Sequence, residues 1–303
     1  VEAALTKPAP PPAAQIAEAL AARFPGAAVL LYGSGMTVSA SEPATSVLFD
    51  FYVVVDNYRA ALRNRLERLA ARLLPPNVYY FELPTPEGTL RAKYALLSLP
   101  AFERLLGPST FHSYFWARFA QPTRLVRCPA ALRPRIIDAI AGAVETFLRR
   151  AAGLANDPAD WRDVWRAGLR ASYRAELRAE TDERADRLID SFGEWPRQVA
   201  SFVLDQRPAR LSAISWRMRA LAGTVLSAAR LLKATATFHG GIDYIAWKVK
   251  RHAGVDVAIK PWERRRPFLA APIVALRYYR LRAAAKSEPD RGDGAAVGLR
   301  ADE

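Results

Sequence analysis

Residues 29–56, VLLYGSGMTVSASEPATSVLFDFYVVVD, constrain the fold more than any other stretch of the chain. Two apolar runs, from Val29 to Tyr32 and from Val47 to Val55, bracket a Gly33-Ser34-Gly35 turn and a polar connection. Both runs are rich in β-branched and aromatic residues and read as strands. Side chains alternate along a strand, so Val47, Phe49, Phe51, Val53 and Val55 share one face. Leu48, Asp50, Tyr52, Val54 and Asp56 share the other. A carboxylate inside such a run is costly to bury unless it is paired or holds a metal. Asp50 therefore has two readings: an acid at an exposed face or strand end, or the ligand of a metal-bound nucleotide.

The flanking sequence extends this core. Residues 1–13 contain KPAPPPA and read as a flexible leader. A helix is expected from Gln15 to Phe24, ending at Pro25-Gly26. A second is expected from Tyr58 to Leu74, with Leu62, Leu66, Leu69 and Leu73 as its apolar stripe and arginines as a solvated face. NVYYFEL (77–83) and LRAKYALLS (90–98) read as two further strands joined through PTPEG as a hairpin. From Pro100 onward helices dominate. The clearest runs from Arg133 to Arg150, with Ile136, Ile137, Ile140, Val144, Phe147 and Leu148 as its buried stripe. Another follows Asp157-Pro158, with Trp161, Val164, Trp165 and Leu169 on one side.

Strands with helices, then helices alone, indicate an α+β chain: a mixed sheet with helices (14–127), a helical domain (128–206) and a basic C-terminal segment (207–286). Residues 287–303 read as a disordered tail.

With 303 residues, 51% of them hydrophobic, there is ample core material. The single cysteine, Cys128, has no disulfide partner within the chain. His112, His239 and His252 lie far apart in sequence and read as surface or partly buried side chains, not zinc ligands. The net charge of +14 is concentrated: residues 207–286 hold 17 Lys and Arg against Asp243, Asp256 and Glu263, and the remainder is balanced. Such a block implies an anionic partner, either a phospholipid surface or nucleic acid. The longest apolar window, 220–249, is interrupted by Arg230, Lys233, Asp243 and Lys248, so no membrane-spanning helix is expected. No signal peptide is read at the N-terminus.

The order YGSG, LFDFYVVVD, NVYYFEL, KYALLS and WARFAQPTRLV resembles the mitochondrial-type phosphatidate cytidylyltransferase family of the nucleotidyltransferase superfamily. Members of that family show YGSG, a DF-hydrophobic-VD stretch, VYYN, KYGVVS and a GRLQKPV-like segment in the same order. The likeness covers roughly residues 29–126. It implies a nucleotidyltransferase-like sheet and a Mg²⁺-dependent transfer of CMP from CTP to phosphatidic acid. It implies that Gly33, Ser34, Gly35, Tyr94 and Arg118 bind the nucleotide, that Asp50 holds the metal, and that Lys93 acts with Asp50 in catalysis. Three positions depart from the pattern: Tyr52 stands where the superfamily has its second carboxylate, Phe81 replaces the Asn of VYYN, and Ala95 replaces the Gly of KYGVVS. Glu82 and Asp56 are the remaining candidates for a second metal ligand. Asp56 lies six residues along the strand, about 20 Å from Asp50 if the chain is straight, and is suited as well to contacting substrate or capping the next helix.

The C-terminal block mixes aromatic and basic residues. Trp247, Lys248, Lys250, Arg251, Trp262, Arg264, Arg265 and Arg266 are the expected membrane contacts. Aromatics at headgroup level and cations on anionic lipid are the usual means of peripheral attachment, and the same composition suits single-stranded nucleic acid. The expected location is the cytoplasmic face of a bacterial inner membrane, the alternative being the matrix side of a mitochondrial inner membrane. Two other functions stay open: a nucleotidyltransferase acting on RNA or protein, and a non-catalytic lipid- or RNA-binding protein of the same fold.

Overall fold

Four strands are expected from the sequence, and the described residues of the computed structural model form five. It describes residues 1–36, 43–175, 182–204, 213–237 and 258–265, with 273, 274, 276, 277 and 280. The fold is α+β, built on a mixed sheet of order β3-β4-β2-β1-β5. β1 is Ala28–Tyr32 and β2 is Leu48–Val55, paired antiparallel. β3 (Asn77–Thr85) and β4 (Gly88–Ser98) form the expected hairpin, and β4 runs parallel to β2. The additional strand, β5 (Thr123–Arg127), lies antiparallel to β1 at the sheet edge.

The alternation read from the second apolar run sorts the core correctly. Phe49, Phe51, Val53 and Val55 pack with Ile16 and Leu20 of α2 (Pro11–Arg23) on one face. Tyr52 and Val54 pack on the other face against α5 (Leu99–Leu106), α6 (Tyr114–Ala120), α7 (Arg133–Ala152) and α8 (Trp161–Ala175). α7 buries Ile136, Ile140, Val144, Phe147 and Leu148 as its periodicity requires. Phe147 meets Trp165 of α8 at 4.9 Å between ring centroids. Beyond these, α9 (Asp182–Ser191), α10 (Trp195–Val203) and α11 (Ala213–Thr237) complete the helical half.

The structure departs from the sequence reading in three places. Residues 1–13 are not a leader without structure. They hold α1 (Glu2–Leu5) and the start of α2, with Leu5 buried and Arg124 Nη1 donating to Ala4 O at 3.1 Å. The helix expected over Tyr58 to Leu74 is two helices, α3 (Tyr58–Ala61) and α4 (Arg65–Leu73), separated at Leu62 to Asn64. The division near residue 127 does not separate two cores, because one cluster joins Tyr52 and Leu97 of the sheet to Phe147, Trp165 and Trp216 of the helices. The chain instead divides into Val1–His239 and Gly240–Glu303. In the second unit, α12 (Pro261–Arg265) buries Glu263, which accepts from Arg277 at 2.6 and 3.2 Å.

Candidate active site

β1 delivers the chain into a short 3-10 turn, Gly33–Met36, directly beside the β2 carboxylate. Gly33 has φ +76°, a left-handed conformation that side chains disfavour. A Cβ at Gly33 would lie 3.6 Å from Asp50 Oδ2, so the turn and the carboxylate adjoin. Gly35 is needed for a different reason: a Cβ there would come within 2.9 Å of the buried Phe49 ring. The glycine turn is thereby seated on β2 one residue before Asp50. The side chain of Ser34 and residues 37–42 lie outside what the structure describes.

Register then assembles a polar row across the sheet. Tyr32 is opposite Asp50, Asp50 opposite Lys93, and Lys93 opposite Tyr80, so the four side chains share one face. Lys93 Nζ stands 3.3 Å from Asp50 Oδ1, with the two side chains 31% and 23% exposed. Asp50 is half-buried, paired with Lys93, and turned toward the glycine turn. Arg118, on α6, closes the row at the β1 side. Its guanidinium lies 5.2 Å from the Tyr32 ring and 5.7 Å from the Tyr114 ring. Gly33, Asp50, Lys93 and Arg118 are thus brought to one end of one sheet face, while Gly35 rests on the Phe49 ring of the other face.

Three expected site residues are elsewhere. Tyr94 points to the opposite face, is 2% exposed, and stacks on Tyr79 at 5.1 Å, so it is a core residue. Burial pushes its hydroxyl up to about 12. Glu82 shares the Asp50 face but lies on β3, two strands away, about 10 Å at ordinary strand spacing. There it accepts from Tyr80 Oη at 2.9 Å and sits 3.3 Å from Arg91 Nε. Asp56 is at the far end of β2, exposed, accepting from Asn57 Nδ2 at 3.2 Å. It is Asn57 that caps the next helix, its Oδ1 accepting from Arg59 N and Ala60 N. Tyr52, at the position where the resemblance leads one to expect a second carboxylate, is fully buried beneath α6, 4.7 Å from the Phe119 ring.

Among the described residues no group of three or more His, Cys, Asp or Glu converges as a metal site. Mg²⁺ does not require one: it keeps several waters and binds through one or two carboxylates with substrate phosphates. A single half-buried Asp50, with Oδ2 toward the glycine turn, fits that mode, whereas Glu82 and Asp56 do not. Sequence reasoning missed Tyr32, Tyr80 and Tyr114. Strand parity relative to Asp50 carries the signal for the first two, and nothing local carries it for Tyr114. Compared with models of known families and with curated proteins, the chain matches none.

Of the C-terminal residues expected at a membrane, Trp262 is 43% exposed on α12. Arg264 and Arg265 belong to the same helix, but their side chains fall outside the described set. Trp247, Lys248, Lys250, Arg251 and Arg266 lie outside the described residues altogether. Among the described residues, no helix is long and apolar enough to cross a membrane.

Proposed function

We propose that this chain is a Mg²⁺-dependent nucleotidyltransferase that moves CMP from CTP to phosphatidic acid, at an anionic membrane surface. The observation that carries the reading is the joint placement of the glycine turn, Asp50 and Lys93. The sheet is read accordingly as nucleotidyltransferase-like. A phosphate oxygen of phosphatidic acid attacks the α-phosphorus of CTP. The new O–P bond forms as the α-phosphorus loses its bridging oxygen, and pyrophosphate leaves with that electron pair. The attacking phosphate is already an anion at neutral pH, so the step needs positioning and charge neutralisation more than a base. Backbone N–H groups of the Gly33–Met36 turn suit a triphosphate, and Lys93 and Arg118 supply positive charge at its two sides. Asp50 would hold Mg²⁺, which neutralises the phosphates and eases departure of pyrophosphate. The basic surplus of residues 207–286 suits the headgroups of the lipid that carries the acceptor.

One observation favours a second reading, a lipid- or RNA-binding protein without turnover. The position of the superfamily's second carboxylate is the buried Tyr52, and Lys93 already pairs with Asp50. A single assay separates the two. Purified protein is incubated with labelled CTP, Mg²⁺ and either phosphatidic acid vesicles or RNA. The expected product is lipid-linked CMP, and Asp50→Asn is expected to lower its formation at least about a hundredfold with the fold intact by circular dichroism. Labelled RNA would replace the proposed acceptor. No transfer to either, or full activity in the Asn variant, overturns the proposal.

A further inference from the structure

Arg118 is held by aromatic rings, and one of those rings is shared with a second cation. Arg230, on α11, lies 4.6 Å from the Tyr114 ring centroid, while Arg118 lies 5.7 Å from the same centroid. The series Arg230, Tyr114, Arg118, Tyr32 alternates cation and ring, and it ends on the residue opposite Asp50. Arg230 is the fixed end. Its Nε donates to Pro75 O at 2.8 Å, its Nη2 stands 3.5 Å from His112 Nε2, and its guanidinium is 5.4 Å from the Phe115 ring. α11 is itself fastened on both sides. Lys233 Nζ donates to Pro76 O at 2.7 Å and to Asn77 Oδ1 at 2.9 Å, and Arg219 Nη1 donates to Phe111 O at 2.6 Å.

Two guanidinium groups on one ring attract its π face and repel each other. Arg230 is bonded to a backbone carbonyl and lies against the Tyr114 ring, so it sets the place of the ring on which Arg118 also lies. Arg118 also lies over the ring of Tyr32, the residue opposite Asp50, and an anion arriving at that row relieves the repulsion between the two cations. We infer that Arg230 is a positioning residue for Arg118, acting through the Tyr114 ring to raise the affinity of the site for a polyphosphate. The inference rests on the reading that Arg118 meets the nucleotide phosphates.

The test is a double-mutant cycle on CTP binding by calorimetry in the full chain, with inorganic tripolyphosphate as a second probe. Arg118→Gln and Arg230→Gln are each expected to weaken CTP about tenfold. The double variant is expected to bind no more weakly than Arg118→Gln alone, because Arg230 acts through Arg118. Tyr114→Leu should match Arg230→Gln, while Tyr114→Phe and Arg230→Lys, which keep the ring and the cation, should stay near wild type. Thermal unfolding of each variant identifies any general loss of fold, which would persist in the Arg118→Gln background. Equal losses from Arg230→Gln in both backgrounds, or no loss in the wild-type background, overturn the inference and leave the function proposal standing. A wild type that binds tripolyphosphate but not CTP removes the nucleotide reading, and the cycle is then decided on tripolyphosphate. A wild type that binds neither probe overturns both.

Discussion

At the scale of single residues, the two glycines of the 33–35 turn do different work. Gly33 supplies a backbone angle and Gly35 supplies room. Gly35→Ala would press a methyl group against Phe49, which is fully buried and has no free direction in which to move. Overpacking of this kind costs about 1–3 kcal/mol. The expected result is an unfolding free energy lowered by that amount, read as a lower denaturation midpoint, and a weaker response to added CTP, since the turn shifts off Asp50. An unchanged midpoint would mean that the turn is not seated on β2 as described. Asp50 shows how far a single residue can be read in advance. The alternation of the run establishes its face, and the cost of burying a carboxylate establishes that it needs a partner. The identity of that partner does not follow locally. Lys93 arrives because β4 lies parallel to β2 in a particular register, and only the pairing of two strands separated by two helices and β3 decides this.

At the scale of elements, the leucines after Tyr58 are the most instructive departure. Leu62, Leu66, Leu69 and Leu73 are spaced for one helical face, yet Leu62 is buried while the other three are 76%, 51% and 74% exposed. The helix does not continue through them. Asn57 caps α3, and Asn64 caps α4 anew, its Oδ1 accepting from Leu66 N at 2.9 Å. The restart re-aims the second helix, which turns Ala71 and Glu67 inward, and Tyr79 Oη donates to Glu67 Oε1 at 2.5 Å. Periodicity cannot see such a break, because asparagine is tolerated within a helix as well as at its cap. The expectation is therefore asymmetric. Leu62→Ala should cost about 2–4 kcal/mol by chemical denaturation, and Leu66→Gln, Leu69→Gln and Leu73→Gln each less than about 0.5 kcal/mol. Comparable losses at all four positions would restore the single-helix reading.

At the scale of the whole molecule, α11 ties the sheet to the helical half, and a buried histidine sits at the junction. His112 is 8% exposed, and burial, assisted by Arg230, lowers it to about 4. An arginine can only donate, so Nε2 faces it as an acceptor and the ring is neutral in the fold. The unfolded chain takes up a proton near 6.5, the folded chain only near 4. Between these values the unfolded state binds more protons, so this contribution to stability is complete above about 6.5 and is lost as pH falls toward about 4. The stability advantage of wild type over His112→Gln should accordingly shrink across that window in urea titrations. A constant difference would show that His112 does not titrate on unfolding. Much of this molecule follows from sequence alone: the two faces of β2, the β3–β4 hairpin, the α7 stripe and the glycine turn before an acid are all local patterns of period, turn chemistry and burial cost. What required tertiary structure was every pairing between distant segments. These include Lys93 on Asp50, the edge strand β5, Tyr94 facing away from the site, and Arg230 meeting the ring that Arg118 shares. Local sequence specifies which way a side chain points from its own element, whereas which element lies opposite is decided by how the faces pack together.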